Sequence, residues 1–281
     1  MNTIIYAILH YAFMQNAIIA GFMASIACGI SGTFVVIKRI TFISGGIAHS
    51  ILGGIGVAYF LGINPLIGAF VAAILSAVLL GIIKIKSNEN EDTLIGALWA
   101  IGMAVGVIFI SLTPGYNTDI MSFLFGNILL VSKSDLWVLL FLNIFVLTTV
   151  FVFFRQFIAI SFDEELAKLR GLSTNLLYIL LLIVIAVTIV VLIKIVGLIL
   201  VISLLTLPAA ISRLFTKSPS KMMFVSAILG FIFVAMGLFV SFKPNLPPGA
   251  TIIVINGLFY ILALFFKNRM IKRKKLNSLK G

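Results

Sequence analysis

The sequence predicts an all-α polytopic membrane protein, a bundle of eight or nine transmembrane helices joined by short loops. Three observations carry this. Hydrophobic residues make up 62% of the 281 and charged ones only 10%, with a mean hydropathy of +1.27. A soluble domain of this size cannot cover so much apolar surface with so few charges. The apolar residues fall into runs of the roughly 20 residues that a bilayer-spanning helix needs. The basic residues sit at the ends of those runs.

Taken in order, the runs lie at about 12–37, 43–61, 65–83, 93–112, 135–154, 174–193, 196–214, 222–242 and 250–266. The first has no Lys or Arg before it and ends in Lys38-Arg39. It lacks the basic start and small-residue cleavage site of a secretory signal and reads as a span. The run at 119–131 is too short to cross and reads as a re-entrant or interfacial helix. Residues 174–214 also admit two short helices meeting at a break near Ile195, which is why eight spans compete with nine. Pro208 is expected to kink its span. The loops at 113–119 and 243–249 carry Pro/Gly turn sequences. The chain reads as one transmembrane domain over 1–281, embedded over about 12–266 and followed by a basic tail at 267–281.

Charge fixes the expected orientation. With the C-terminus inside and nine spans, 17 of the 20 basic residues fall inside and only Lys133, Lys194 and Lys243 outside, as the positive-inside rule requires. The formal charge of +12 thus reflects membrane topology, and no nucleic-acid partner is expected. Catalytic motifs are missing: there is no GxxxxGK[ST], HExxH or GxSxG, and two histidines with one cysteine cannot build a closed zinc site. Asp92, Asp119 and Asp135 are all placed at span ends, so no paired aspartates lie in mid-span for an intramembrane protease. Cys28, alone, and the methionines read as packing. Glu89, Glu91 and Asp92 read as a solvated loop and a helix start.

Two segments carry chemistry. In "ISGGIAHSILGGIG" (43–56) a histidine lies inside an apolar span, where an ionisable group is expensive. Helical spacing puts Gly45, His49 and Gly53 on one stripe and Gly46, Ser50 and Gly54 on the next. Small residues at this spacing either let helices approach closely or leave room around the imidazole for a cation, and both readings stand. A neutral imidazole ligates soft or borderline cations. One such group alone makes a weak site, which an ion can readily leave. The second segment, "SFDEELAKLRGLS" (161–173), reads as a short amphipathic cytoplasmic helix. Asp163, Glu164 and Glu165 lie in its first turn, Lys168 and Arg170 late, with Gly171 as stop. Leu166, Leu169 and Leu172 form an apolar stripe suited either to a linker or to docking in a partner's groove. Asp119 is either a solvated loop carboxylate or an outer attractor for cations. Asn127 and Asn256 read as interhelical hydrogen-bond donors.

Over 12–266 the chain resembles the permease subunits of bacterial ABC importers for zinc, manganese or iron. The likeness rests on "GTFVVIKRITFISGGIAHSILGGIG" (32–56), "EDTLIGALWAIGMAVGVIFISL" (91–112), "NTDIMSFLFGNILLVSKSDL" (117–136), "ISFDEELAKLRGL" (160–172), "VGLILVISLLTLPAAISRLF" (196–215) and "PPGATIIVINGLFYIL" (247–262), in that order. The resemblance implies a non-enzymatic, multi-pass subunit of the bacterial cytoplasmic membrane that forms a homodimer in the lipid. Cytoplasmic ATPase subunits use the ATP, an extracytoplasmic metal-binding protein delivers the ion, and a divalent metal is substrate with no cofactor stably bound. It also implies that Asp163, Glu164, Glu165, Ala167, Arg170 and Gly171 form the ATPase-coupling helix. On that expectation His49 and Asp119 are the candidate residues of a metal pathway shaped by Gly45, Gly46, Ser50 and Gly53. Such permeases commonly carry an Asp four residues before the span's histidine; the matching position here is Gly45. That departure keeps a metal-chelate or small-cofactor importer as an alternative. A stand-alone channel or secondary transporter would be expected to show mid-span acids, and none occurs.

Overall fold

A computed structural model describes residues 10–86, 91–113, 126–242, 244 and 246–278. The membrane-length helices are α1 (Ala12–Ile37), α2 (Thr41–Phe60), α3 (Pro65–Lys86), α4 (Glu91–Ser111) and α5 (Lys133–Val152). Two short helices follow, α6 (Phe154–Phe162) and α7 (Glu164–Leu169), and then α8 (Thr174–Val196), α9 (Leu198–Phe215), α10 (Pro219–Phe242) and α11 (Pro248–Ser278). Among the described residues, nine helices are long and apolar enough to cross a membrane. The ambiguous 174–214 stretch resolves into two of them. Gly197 alone separates α8 from α9, at φ +85°, a backbone conformation that L side chains rarely adopt. The sequence blurred this boundary because the residues on both sides of it are equally apolar.

The remaining differences are local. Part of the short run at 119–131 lies outside the described residues; of the rest, Ile128–Leu130 form a single 3-10 turn. Asn127 is exposed and accepts the Leu129 N–H at 3.1 Å, so it caps that turn and, among the described residues, bridges no helices. Asn256 does bridge: its Nδ2 donates to the Ser203 Oγ at 2.9 Å, linking α11 to α9. The basic tail continues α11 as far as Ser278. Pro208 lies inside α9.

Three helices form the centre. In α1, α2 and α8, 72% of the membrane window is buried, against 11% in α4 and 22% in α11. A helix apolar on every side has no amphipathic stripe to orient it, so packing falls to small residues and to buried hydrogen bonds. α1 presents Ala17, Ala20, Gly21, Ala24, Gly29 and Gly32 to its neighbours, and α9 and α10 lie against it. The Ser31 and Thr188 hydroxyls meet at 3.1 Å between α1 and α8. Asn143 on α5 donates to the Met23 carbonyl of α1 at 3.1 Å.

α2 is held the same way, between α3 and α4. A Cβ on Gly53 would come within 2.8 Å of the Gly102 carbonyl oxygen, and one on Gly56 within 2.5 Å of that of Gly106. On the α3 side, Gly54 and Gly68 each face the other's carbonyl, and a Cβ on Gly68 would also meet the Ala58 methyl at 2.7 Å. These are backbone-to-backbone contacts that leave no space for a side chain.

Gly68→Leu therefore forces α3 away from α2. Overpacking of this kind costs about 1–3 kcal/mol, and the purified variant should unfold at a clearly lower temperature. Gly96→Ala, on α4 with open space around it, should match the wild type; an equal loss in both would refute the contact assignment.

Candidate functional site

His49 is the ninth residue of α2, roughly 12 Å along the axis from Thr41 at 1.5 Å per residue, which is near mid-membrane. The histidine is half-buried. Its Nδ1 lies 2.8 Å from the carbonyl oxygen of Gly45, one turn earlier. A carbonyl can only accept, so Nδ1 carries the proton and donates. The lone pair of the neutral ring then sits on Nε2, the atom left to ligate a cation.

The imidazole also stacks on the indole of Trp99, with centroids 3.7 Å apart and planes 23° from parallel. Trp99 belongs to α4, and its Nε1–H donates to the Met103 Sδ at 3.2 Å. Both the orientation and the tautomer of His49 are thus set, one by a neighbouring helix and the other by its own backbone.

The small residues divide. Gly45 is the loosest: a Cβ there would stand 3.8 Å from Cζ3 of Trp99, ordinary contact. Gly46 is pressed against α4, its Cβ position 2.8 Å from Cγ2 of Ile95. Ser50 pairs with Ser76 of α3 at 2.7 Å. Ser50 and Gly53, with Gly54, Gly68 and Gly102, line an apolar groove of ≈ 640 Å³ between α3 and α4. His49 is not among its lining residues; it stands beside Trp99. Asp119 lies outside the described residues. Among those residues no group of three His, Cys, Asp or Glu is placed to hold a metal, so His49 belongs to no three-ligand cluster there.

A second constellation lies where the basic residues gather. Asp163 is the N-cap of α7, and its side chain accepts the Leu166 N–H at 2.9 Å. It therefore precedes the first turn that holds Glu164 and Glu165. The preceding residues belong to a separate helix, α6, which buries Phe157 against Phe34 of α1 with ring centroids 5.6 Å apart. Ala167 is buried, whereas Glu165, Arg170 and the leucine side chains at 166 and 169 are exposed. Gly171 ends the helix at φ +79°.

Lys38, at the end of α1, ties α7 to the bundle. Its Nζ donates to the Ile160 carbonyl at 2.7 Å and pairs with the Glu164 Oε2 at 3.0 Å. It also stands 5.0 Å from the ring centroid of buried Tyr178 on α8, and Lys84 of α3 stands at 4.9 Å. At the opposite end, Lys194 pairs with Asp135 at 2.8 Å, closing α8 onto α5. Sequence reasoning missed Trp99 and the Lys38 junction. Trp99 had one signal, being one of only two tryptophans. Lys38 had none, because it reads like any other span-end lysine.

Comparison with known proteins places these features. The profile of a family described as the ABC 3 transport family matches residues 10–267. A probable metal transport system membrane protein of Chlamydia trachomatis is 41% identical over 257 residues, covering 89% of this chain and 88% of the relative. The manganese import system permease protein ScaB of Streptococcus gordonii is 33% identical, covering 94% and 95%. The solved PsaBC from Streptococcus pneumoniae, in complex with Fab, superposes with a TM-score of 0.85 at 31% identity, covering 96% of this chain and 98% of that one.

The side chain of Lys38 is only 7% exposed, and that of Glu164 is 43% exposed. Glu164→Gln should cost under about 1 kcal/mol, as half-exposed pairs do. Lys38→Met also strands the Ile160 carbonyl and should cost about 1–3 kcal/mol. Thermal unfolding of the two variants tests this order, and equal losses would contradict it.

Proposed function

The chain belongs to the ABC 3 transport family, and we propose that it is the membrane-spanning subunit of an importer for a divalent transition-metal ion. Manganese, zinc and iron are the candidate ions, and ATP is hydrolysed by a separate subunit. The observation that carries the reading is the fixed, solitary imidazole of His49 at mid-span with Nε2 free to ligate. A single neutral nitrogen holds an ion weakly, which suits transfer better than storage. High affinity then belongs to an extracytoplasmic metal-binding partner. The relatives named for metal and manganese transport support this substrate class.

α7 is the docking element for the ATPase. Leu166 and Leu169 are 44% and 85% exposed beside Glu165 and Arg170, an apolar ridge with charged rims of the kind that seats in a groove. Force on α7 reaches α1 through the Glu164–Lys38 pair, and Lys38 immediately precedes the turn into α2, which carries His49. α4, the least buried span, is the surface that a second copy covers, placing two His49 sites about a shared axis. The C-terminus lies in the cytoplasm, and the whole of 1–281 acts as one permease domain. Asp119 is proposed as the outer attractor for incoming cations.

Two measurements test this. Uptake of labelled manganese, zinc and iron by cells carrying the intact system should fall at least about tenfold in His49→Ala, the scale on which metal sites respond to losses around the ion. Unchanged uptake at normal expression would remove His49 from the pathway, and wild-type uptake of none of the three would move the reading to a chelated metal. Gly171→Pro cannot adopt φ +79°, since proline is confined near −65°. It also loses the Gly171 N–H bond to the Lys168 carbonyl at 3.0 Å. It should abolish co-purification with the ATPase subunit, and an intact complex would contradict the docking assignment.

A further inference from the structure

Trp99 lies against both parts of the α2 site. Its ring covers one face of the His49 imidazole at a centroid distance of 3.7 Å, and its Cζ3 stands 3.8 Å from the Cβ position of Gly45. The Nε1–H bond to the Met103 sulfur, one turn along α4, fixes the indole in that place. The indole thus covers one face of the ring whose Nε2 would hold an ion, and it offers no oxygen ligand on that side.

Such a wall acts differently on different ions. Manganese binds imidazole more weakly than ferrous iron or zinc and relies on carboxylate, carbonyl or water oxygens. An indole beside the ion limits the waters it can keep, which penalises the ion most dependent on them. Position 45 is one turn before His49 on the same face, where a carboxylate would supply the missing oxygens. The glycine found there supplies none, and among the described residues no acidic cluster replaces it.

We propose that Trp99 is a specificity-determining residue of the permeation path, favouring zinc and ferrous iron over manganese. The mechanism is a difference of affinities achieved by disfavouring the competitor. This inference rests on the importer reading above.

The test is competitive uptake of labelled manganese and zinc at equal concentration, with the wild-type binding protein and ATPase held constant so that changes report the permease. Trp99→Ala should raise the manganese-to-zinc ratio severalfold. Trp99→Ala with Gly45→Asp should raise it by about tenfold or more, the scale of changes around a metal site. Trp99→Phe keeps an aromatic wall and should leave the ratio near that of the wild type. Expression and co-purification with the ATPase check that each variant folds. Continued uptake at one unchanged ratio in all variants overturns the role of Trp99 and leaves the importer reading intact. Uptake of neither ion, nor of labelled ferrous iron, by the wild type overturns both.

Discussion

The structure depends on helix backbones touching without side chains between them. Where Gly54 meets Gly68, and Gly53 and Gly56 meet Gly102 and Gly106, α2 is locked to α3 and α4 at a separation only glycine allows. In hydrocarbon there is no hydrophobic force to bring helices together, so close packing and buried hydrogen bonds supply the cohesion. This makes the position of α2 rigid, and with it the position of His49. The same contacts bring Trp99 across from α4 to stack on the imidazole.

That rigidity has a chemical consequence. The Gly45 carbonyl claims the Nδ1 proton and the indole claims one ring face, so a single lone pair remains in a single direction. As the proposed pathway ligand, His49 would combine fixed geometry with low affinity, the two properties such a site needs. At the basic end, Lys38 joins α1, α6, α7 and the Tyr178 ring in one junction. α7 is thereby tied to the end of α1, from which one short turn of chain leads into α2 and His49.

Much of this was legible in the sequence because it is encoded locally. Spans follow from runs of apolar residues, α7 from acids at its start and a Gly stop, and the small-residue stripe from spacing along one helix. Gly197 was missed as the boundary because nothing in its apolar surroundings marks it until its φ is known. Asn127 was misread because a polar side chain near a span end serves a local turn as readily as a distant helix. Trp99 and Lys38 were invisible as site residues for another reason. Their meaning comes from partners far away in sequence, and only the packing of α2 on α4 and of α1 on α6 brings them together. The absence of a carboxylate at Gly45 was readable, but the indole beside it was not.

If His49 is a pathway ligand, its position faces an aqueous path in the assembled importer. The protein has a single cysteine, Cys28, and it is buried, so Cys28→Ser gives a clean background for His49→Cys. In the complex with its ATPase, the thiol introduced at position 49 should react with a charged, membrane-impermeant methanethiosulfonate and be shielded by the transported ion. Reaction only with a lipid-soluble maleimide, in every nucleotide state, would place the residue against lipid and contradict the account.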